Sequence, residues 1–554
     1  MATGSLSTVA KRSRMFADFC CTSCKDQNHE ISADTYCETC LSFYCKNCVY
    51  HHNKIHTKHI TYGREDIRKW PVSEEVEDFV RKCEVHKDFT LTQFCHDHTQ
   101  LCCSNCVVTN HSQCNKVNNI TELSKTLSTD LQELSVRLET LMEEIKSLLS
   151  RHKASVQSLN RTYREHMDFV IERISVNINT TLDEHENSNV STSDTNEQYI
   201  KEEMCLSVLN IVNKFDNSTG KVLDEMKDEV ISINSSITNS IPNCTRLLNT
   251  LTQVSECIQT IGDCKELCFI TSMKCKYIIQ QAFTVLGKSD QRLTLQGEFN
   301  RNVSIRSDSQ TSGISGMCVL PDGLILIADS VTKTVRLLNQ QYEVVSHCDV
   351  ISCPGVICQI TPSKAAVALI GHTVWVQFIT VTERQIVPSR TFQLEHTCTG
   401  IAHHQGDLFI SSGFELYKYA LSGRQMCRLY EDPLGELTVD KCAVSPSGDK
   451  LYIISCSKNT LLTLARDGNT LAKYTDQELL HPLDLHVTPA GQVLVCGWRS
   501  QTILQVDCKG ERKLATFAQN VWDAWGPQAV CYSSTASCII VAQGVFNILV
   551  YRVK

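Results

Sequence analysis

The sequence predicts a multidomain protein with two small modules rich in cysteine and histidine, a long α-helical coiled coil, and a C-terminal all-β six-bladed propeller. Three observations predict this order. Cysteine and histidine recur at short spacing before residue 120, apolar residues follow a heptad pattern after it, and a turn pattern repeats every 41 to 45 residues towards the C-terminus. A chain of 554 residues is also too long for one core, so several domains are expected.

The composition excludes several classes of protein. Charged residues make up 21% of the chain and hydrophobic residues 42%, as in folded proteins. The net charge of −8 argues against a strongly basic nucleic-acid binder. The sequence has no uninterrupted apolar run long enough to span a membrane, and residues 1–18 lack the apolar core of a secretory signal. We therefore expect a cytoplasmic protein without membrane contact, with a nuclear location as the alternative.

The 31 cysteines favour metal binding over disulfide bonds. An odd count in a chain without a secretory signal argues against a disulfide framework, and clustered cysteines in a reducing compartment more often bind metal. The first cluster contains three Cys-x2-Cys pairs and two histidines, and the second contains two Cys-x2-His pairs, one Cys-x2-Cys pair and one His-x2-Cys pair. The candidate ligands are Cys21, Cys24, Cys37, Cys40, Cys45, Cys48, His52 and His59 in the first cluster, and Cys83, His86, Cys95, His98, Cys103, Cys106, His111 and Cys114 in the second.

Each cluster holds enough ligands for two tetrahedral zinc ions. A two-residue spacer lets a tight turn direct both side chains at one ion about 2.0–2.3 Å away. The polar segments between ligands cannot bury a core, so zinc binding would supply the folding free energy, and we expect about four Zn²⁺ ions per chain. A catalytic zinc is less favoured because no coordination position is left open. Cysteines that serve only as buried apolar residues are also less favoured.

Spacing leaves some ligand choices open. Cys20 and Cys102 each precede a chosen ligand and are set aside because the next residue completes the two-residue spacer. His51 and His56 are alternatives to His52, and we interpret both as surface residues.

Both clusters resemble the B-box zinc modules of the tripartite-motif family. The first, placed at residues 16–62, is similar to the type-1 form. The second, at 78–118, is similar to the Cys-His form, with His98 where many members carry Asp, and Cys114 where they end on His. The resemblance implies that the ligands interleave as a cross-brace. It assigns one ion to Cys21, Cys24, Cys45 and Cys48, one to Cys37, Cys40, His52 and His59, one to Cys83, His86, Cys103 and Cys106, and one to Cys95, His98, His111 and Cys114.

The family plan begins with a RING finger, which recruits a ubiquitin-charged conjugating enzyme. Only about twenty residues precede the first ligand here, so we expect that this protein lacks a RING or that the chain is truncated. The resemblance therefore leaves ligase activity as an alternative. The protein would then act as a ubiquitin ligase or ligase subunit, through the RING-like first B-box or through a RING-bearing partner.

A heptad pattern follows the second cluster and predicts a coiled-coil seam. Beyond His152 its phase slips, which locally unwinds a supercoil. Since the chain has no proline between Pro71 and Pro242, a helix of about 60 residues, about 90 Å long, is plausible. The apolar positions of the first part are Leu123, Leu127, Leu131, Leu134, Leu138, Leu141, Ile145 and Leu148.

We assign residues 119–290 to this helical dimerisation region. So long a seam needs a partner, and self-association is favoured over a helix folded back on its own chain. The resemblance implies an antiparallel dimer. Residues 187–198, rich in Asn, Ser and Thr, predict a break, and 200–288 again look helical with Pro242 interrupting. Four further cysteines at helical spacing are interpreted as core residues, in preference to a metal site: Cys257, Cys264, Cys268 and Cys275.

The predicted propeller occupies residues 295–554. Its turn signals each follow a short apolar strand, and proline followed two positions later by glycine suits a type I turn. The signals are Pro321-Asp-Gly, Pro362-Ser-Lys, His404-Gln-Gly, Pro446-Ser-Gly, Pro489-Ala-Gly and Ser534-Thr-Ala. Six units favour six four-stranded blades over a β-sandwich, which rarely shows so regular a period. The last unit lacks one strand, so we expect residues 295–305 to close the ring.

The first repeat, from Gly316 to Asp329, resembles an NHL repeat, and later repeats drift from that pattern. NHL propellers of the tripartite-motif family bind RNA or substrate proteins. RNA binding needs a basic patch with aromatic residues, and no Lys/Arg cluster occurs in this region, so a protein ligand is favoured.

The sequence contains no motif of an intrinsic active site. It has no phosphate-binding G-x-x-x-x-G-K-[ST], no G-x-G-x-x-G and no G-x-S-x-G. We therefore predict a zinc-binding, self-associating scaffold or adaptor whose propeller recognises a partner protein. A ubiquitin ligase is the first alternative and an RNA-binding regulator the second.

Overall fold

The computed structural model describes residues 19–126, 131–189, 205–206, 209, 220–262, 264–305, 313–433, 435–517, 526–543 and 546–554. The predicted fold class is confirmed: two Cys/His modules precede long helices and six four-stranded sheets. Residues 1–18, where we predicted no secretory signal, and most of the predicted break at 187–198 lie outside the described residues. None of the helices that the described ranges contain is long and apolar enough to cross a membrane.

The chain forms two compact units, each built from separate stretches of sequence. Unit 1 contains residues 1–147 and 243–282, and unit 2 contains residues 148–242 and 283–554. The two Cys/His modules therefore belong to unit 1, and the propeller belongs to unit 2.

The two Cys/His modules share one plan, a three-stranded antiparallel sheet with a helix between its second and third strands along the chain. The sheet order is β2-β1-β3 in the first module and β5-β4-β6 in the second. The first module (residues 19–70) contains α1 (Thr22–Lys25), β1 (Thr35–Cys37), β2 (Ser42–Tyr44), α2 (Lys46–Ile55), β3 (Thr61–Gly63) and a 3₁₀ turn (Arg64–Lys69). The second module (residues 74–119) contains α3 (Glu74–Arg81), β4 (Gln93–Cys95), β5 (Gln100–Cys102), α4 (Ser104–Asn110) and β6 (Val117–Asn119).

The helices with bounds inside the described ranges are then α5 (Ile120–Thr126), α6 (Leu131–Asn189), α7 (Lys221–Thr260) and α8 (Lys265–Val285). The 59 residues of α6 match the predicted length. The prediction that Pro242 interrupts a helix is wrong, because this residue lies inside α7. Proline costs about 3 kcal/mol in a helix interior. Buried apolar residues on both sides of it, such as Ile237 and Leu247, offset that cost by tertiary packing.

Most of the predicted seam is buried within a single chain, and Leu123 and Leu131 are half-buried. The buried positions are Leu134, Leu138, Leu141, Ile145 and Leu148, whereas Leu127 lies outside the described residues. Hydrogen bonds join α6 to α7 inside each unit, from Thr252 to Met142 at 3.5 Å in unit 1 and from Asn234 to Asn160 at 2.8 Å in unit 2. Thus α7 supplies an intrachain partner that the heptad pattern did not reveal. Self-association stays a prediction.

Six four-stranded antiparallel sheets form the blades of the propeller. The first strands of successive blades contact one another in a closed ring. The last blade takes its fourth strand from β7, which pairs with β30 and closes the ring as expected. The strands of the six blades, in chain order, are β8 (Ile314–Val319), β9 (Ile325–Asp329), β10 (Thr334–Leu338) and β11 (Val344–Asp349); β12 (Cys353–Thr361), β13 (Lys364–Ile370), β14 (Val374–Thr382) and β15 (Gln385–Leu394); β16 (Gly400–His404), β17 (Asp407–Ser411), β18 (Glu415–Ala420) and β19 (Gln425–Glu431); β20 (Lys441–Val444), β21 (Lys450–Ser455), β22 (Thr460–Ala465) and β23 (Thr470–Tyr474); β24 (Pro482–Val487), β25 (Val493–Gly497), β26 (Thr502–Val506) and β27 (Lys513–Phe517); and β28 (Pro527–Ser533), β29 (Cys538–Gln543) and β30 (Asn547–Val553) with β7 (Leu295–Asn302).

All six turn signals connect the first and second strands of their blades. In the first blade, Gly323 has a φ of +84° and donates its N–H to the Leu320 carbonyl at 2.9 Å. Gly491 repeats this turn, with a φ of +91° and a 2.8 Å bond to Thr488. Glycine is favoured there because residues with a Cβ rarely adopt a positive φ. The 41–45-residue period therefore marks the blades.

Candidate metal centres

Four sets of cysteine and histidine converge in the two modules. In each set the four ligand atoms lie within 4.8 Å of one another. All sixteen residues proposed from spacing are included, in the four groups that the family resemblance implies: Cys21, Cys24, Cys45 and Cys48; Cys37, Cys40, His52 and His59; Cys83, His86, Cys103 and Cys106; and Cys95, His98, His111 and Cys114.

Two helix starts build the first set. Cys21 immediately precedes α1 and Cys45 immediately precedes α2, so each Cys-x2-Cys pair lies in one helical turn. The Cys24 sulfur lies 3.6 Å from that of Cys48 and 3.9 Å from that of Cys45. A backbone N–H bond from Cys48 lowers the pKa of the Cys45 thiol to about 7. The start of α2 thus favours the thiolate, the form that binds metal.

The same helix carries a ligand of the second set. His52 lies in the last turn of α2, and its Nε2 is 3.4 Å from the Cys40 sulfur. The Nδ1 of His59 lies 3.2 Å from the same sulfur and 3.8 Å from that of Cys37. On its other side the His52 ring makes a 3.0 Å hydrogen bond to Asn53, which orients Nε2 towards the set. Because α2 contributes to both sets, the ligands interleave.

The third set repeats the first. Cys83 lies two residues after the end of α3, and Cys103 immediately precedes α4. The Nδ1 of His86 lies 3.2 Å from the Cys106 sulfur and 3.4 Å from that of Cys103. The Cys83 and Cys106 sulfurs are 3.6 Å apart. Burial raises the pKa of the Cys106 thiol to about 12, so a cation would be needed to hold this thiolate.

The fourth set is the most open. The Nδ1 of His98, an exposed residue, lies 3.5 Å from the Cys95 sulfur and 3.2 Å from that of Cys114. It also lies 3.2 Å from the Nδ1 of His111. Cys114, which stands where the resemblance implies His, therefore lies among the candidate ligands of this set.

These separations suit a tetrahedral ion. Ligands 2.0–2.3 Å from a common centre form a tetrahedron with edges of about 3.3–3.8 Å. The close pairs in the four sets are 3.2 to 3.9 Å apart. Sulfur and imidazole ligands without carboxylates favour zinc over magnesium or calcium. The four sets could therefore hold metal ions.

The residues set aside during sequence analysis lie outside the four sets. Cys20 pairs with Ser32 in a β-bridge. Burial raises the pKa of Cys102 to about 11. His51 is exposed, and the ring of His56 stacks on that of the ligand His59 at 4.5 Å.

The four cysteines at helical spacing also lie outside these sets. Cys257 and Cys275 are buried, and burial raises the pKa of each thiol to about 12. Cys268 is half-buried and Cys264 is exposed.

Sequence reasoning missed how the second module is anchored within unit 1. Arg81 forms an ion pair with Glu266 on α8 at 2.9 Å, and the rings of Phe94 and Phe269 pack edge to face at 5.5 Å. The ammonium of Lys274 donates to the Phe79 carbonyl at 3.2 Å. These partners are more than 170 residues apart, so no local pattern could reveal them.

Comparisons with known proteins bear on this region and on the propeller. No protein-family model matches the chain. The chain is 34% identical over 95 residues to the E3 ubiquitin-protein ligase TRIM33 of Xenopus laevis. The match covers 17% of this chain and only 8% of that protein, so the chain spans a small part of this relative. The similarity and the Cys/His sets together fit a tripartite-motif-like protein.

Solved structures also align with the chain at low similarity. The propeller domain of Cps50 (Swd1) from Myceliophteria thermophila is 12% identical, with a TM-score of 0.34, covering 44% of this chain and 83% of that one. Virginiamycin B lyase from Staphylococcus aureus is 10% identical, with a TM-score of 0.35, covering 47% of this chain and 99% of that one.

Proposed function

We propose that this protein is a zinc-binding, self-associating scaffold of the tripartite-motif type whose propeller recognises a partner protein. The observation that carries the proposal is the convergence of sixteen cysteine and histidine side chains into four groups, each with its candidate ligand atoms within 4.8 Å of one another. The bound zinc would be structural, since each set supplies four protein ligands and leaves no position for substrate. The ions would hold the modules in a fixed shape, and the other regions would bind partners.

Within unit 2, the arrangement of helices and blades supports a partner on one particular propeller face. Helices α6 and α7 pack against blades two and three, and Leu159 lies beside Gly406 in a turn between first and second strands. The opposite face carries the loops between second and third strands and between blades. Six of its large apolar side chains are exposed: Val331, Ile351, Ile370, Phe414, Leu437 and Leu480. Exposed apolar side chains of this kind favour a protein ligand over RNA.

Metal content tests the proposal. Elemental analysis of the reduced full-length protein is expected to find about four zinc ions per chain. The variant Cys37→Ala/Cys95→Ala removes one ligand from each of two sets and is expected to lose about two ions. His51→Ala is a matched control, since His51 is exposed and adjoins the ligand His52. A parent protein without metal that still has an ordered N-terminal region would overturn the proposal.

A binding assay tests the choice of protein over RNA. We expect the full-length chain to bind single-stranded RNA oligonucleotides of mixed sequence weakly or not at all. Tight binding with a steep salt dependence would instead indicate phosphate contacts and favour an RNA-binding regulator.

The second candidate function is a ubiquitin ligase or ligase subunit. The similarity to a protein named as an E3 ubiquitin-protein ligase favours it. Incubation with activating enzyme, a panel of conjugating enzymes and ubiquitin would distinguish the two candidates. Ubiquitin chains that form with the parent and with His51→Ala, but not with Cys37→Ala, would favour the ligase. No chains with any conjugating enzyme would favour the scaffold.

A further inference from the structure

The first module exposes apolar side chains around its second metal set. Leu41 follows the ligand Cys40, and Ile60 follows the ligand His59. Ile55 ends α2, three residues after the ligand His52. Their exposed fractions are 75%, 54% and 76%.

The second metal set brings together the three ligands beside which these residues lie, although 20 residues of sequence separate Cys40 from Ile60. The Cys40 sulfur lies within 3.4 Å of ligand nitrogens from both His52 and His59. Backbone bonds add to this, since the Ile60 carbonyl accepts the Glu38 N–H at 3.0 Å. Leu41, Ile55 and Ile60 therefore each lie within three residues of a ligand of the second set, and we refer to the three together as the apolar rim.

The surroundings of the apolar rim are basic. Lys54 and Lys58 are exposed between the two histidine ligands, and the Lys54 ammonium lies 4.3 Å from the centre of the exposed Tyr50 ring. His51 and His56 add further nitrogen donors on the same segment. The single acidic residue within 37–60 is Glu38. This surface is complementary to a ligand whose carboxylates can pair with the lysines and whose apolar side chains can contact Leu41, Ile55 and Ile60.

The rest of the first module is packed on itself. Its apolar cluster consists of Ala33, Tyr36 and Trp70, with Phe19, Phe43 and Tyr62 against them, all within residues 19–70. None of the three rim residues belongs to that cluster, so the rim contributes nothing to this core. Apolar side chains that an ordered module leaves in solvent often mark an interaction site.

We propose that the apolar rim and its lysines bind an acidic amphipathic segment of a partner protein. The apolar side chains of that segment would cover Leu41, Ile55 and Ile60, and its carboxylates would pair with Lys54 and Lys58. The site extends the proposed function from the propeller to the N-terminal region. It rests on the proposed metal binding only in that the ion would hold Cys40, His52 and His59 together.

The test uses the full-length protein and two synthetic amphipathic peptides. One peptide alternates Glu and Asp with Leu and Phe, and the other carries Lys in place of every acidic residue. Fluorescence anisotropy is expected to show binding of the acidic peptide alone, weakened by added salt. The variant Leu41→Ser/Ile55→Ser/Ile60→Ser should lower that affinity by about tenfold or more. Val108→Ser in the second module is the matched control, since Val108 is equally exposed at 73%.

Each contrary result overturns the proposal in a distinct way. Equal binding of both peptides would mean nonspecific apolar contact, and unchanged binding by the triple variant would place the site elsewhere. If the triple variant changes the sedimentation of the protein alone, the rim is covered by a second copy instead. Zinc content is measured on every sample. A parent protein without bound zinc would refute the proposed function. A parent protein with about four zinc ions per chain that does not bind the acidic peptide would refute only this inference.

Discussion

The first module and the propeller solve the same folding problem by different means. The module buries few apolar side chains of its own, and its cluster centres on Ala33, Tyr36 and Trp70. The propeller encloses aliphatic clusters between neighbouring blades, with side chains such as Ile453 and Val495 fully buried. A short polar segment cannot bury enough area to offset its conformational entropy, whereas a domain of propeller size can. The comparison teaches that ligand convergence takes the place of a core where the chain is short.

Removal of metal should produce the largest difference in stability between the first module and the propeller. Structural zinc contributes about 10–16 kcal/mol per site in small peptides, so a strong chelator should unfold the first module and leave the propeller intact. Hydrogen exchange measured by mass spectrometry would check this, with rapid exchange expected in residues 19–70 and unchanged protection in β21 and β25. Equal loss of protection in both regions would contradict the comparison.

A substitution in the propeller core should instead destabilise the propeller and leave the metal-binding modules unaffected. Phe409 in β17 is fully buried, and Phe409→Ala should lower the free energy of unfolding of the propeller by about 3–5 kcal/mol, because it leaves a cavity. Metal content should not change. Phe414→Ala is the matched control, since this phenylalanine is 43% exposed in the same blade. Urea unfolding followed together with zinc analysis checks both expectations.

A buried charge joins α7 to the propeller inside unit 2. Glu229 is fully buried and accepts from Arg390 at 2.6 Å and from Lys364 at 3.3 Å. Glu229→Gln leaves the buried guanidinium uncompensated and should cost about 3–5 kcal/mol in urea unfolding. The double variant Glu229→Leu/Arg390→Met should recover part of that loss. Glu143→Gln, which breaks an exposed ion pair with Lys146, should cost less than about 1 kcal/mol.

The last prediction concerns the dependence of propeller stability on pH, which is smallest per unit of pH. Burial lowers the pKa of His486 in β24 from 6.5 to about 4. The unfolded chain therefore binds more protons between these values, so stability is present above pH 6.5 and falls as the pH drops towards 4. The loss should approach about 1.4 kcal/mol per pH unit.

His486→Gln should flatten this slope, and His372→Gln, at an exposed turn, should not. Because acid also releases metal, unfolding is followed by hydrogen exchange of propeller peptides. Identical slopes in the parent and in His486→Gln would contradict the assignment.

Periodic and spaced patterns predicted most of the architecture. The sixteen candidate ligands, the length of α6 and the six turn signals all follow from local spacing, because a Cys-x2-Cys turn, a heptad and a strand turn are each formed by neighbouring residues. The effect of Pro242 was predicted wrongly, because local propensity favours a break and tertiary packing overrides it. Intrachain cover of the seam was the less favoured alternative in the sequence analysis, since the residues that supply it lie about 100 positions away.

Residue identity and spacing by themselves determined which side chains could hold ions and where strands alternate with turns, because these depend on short-range geometry. Only the tertiary structure decided that Glu229 meets Arg390, that Arg81 meets Glu266, and that α7 covers the seam of α6. Such contacts join distant parts of the chain, and their free energy is gained only after the loops between them have closed.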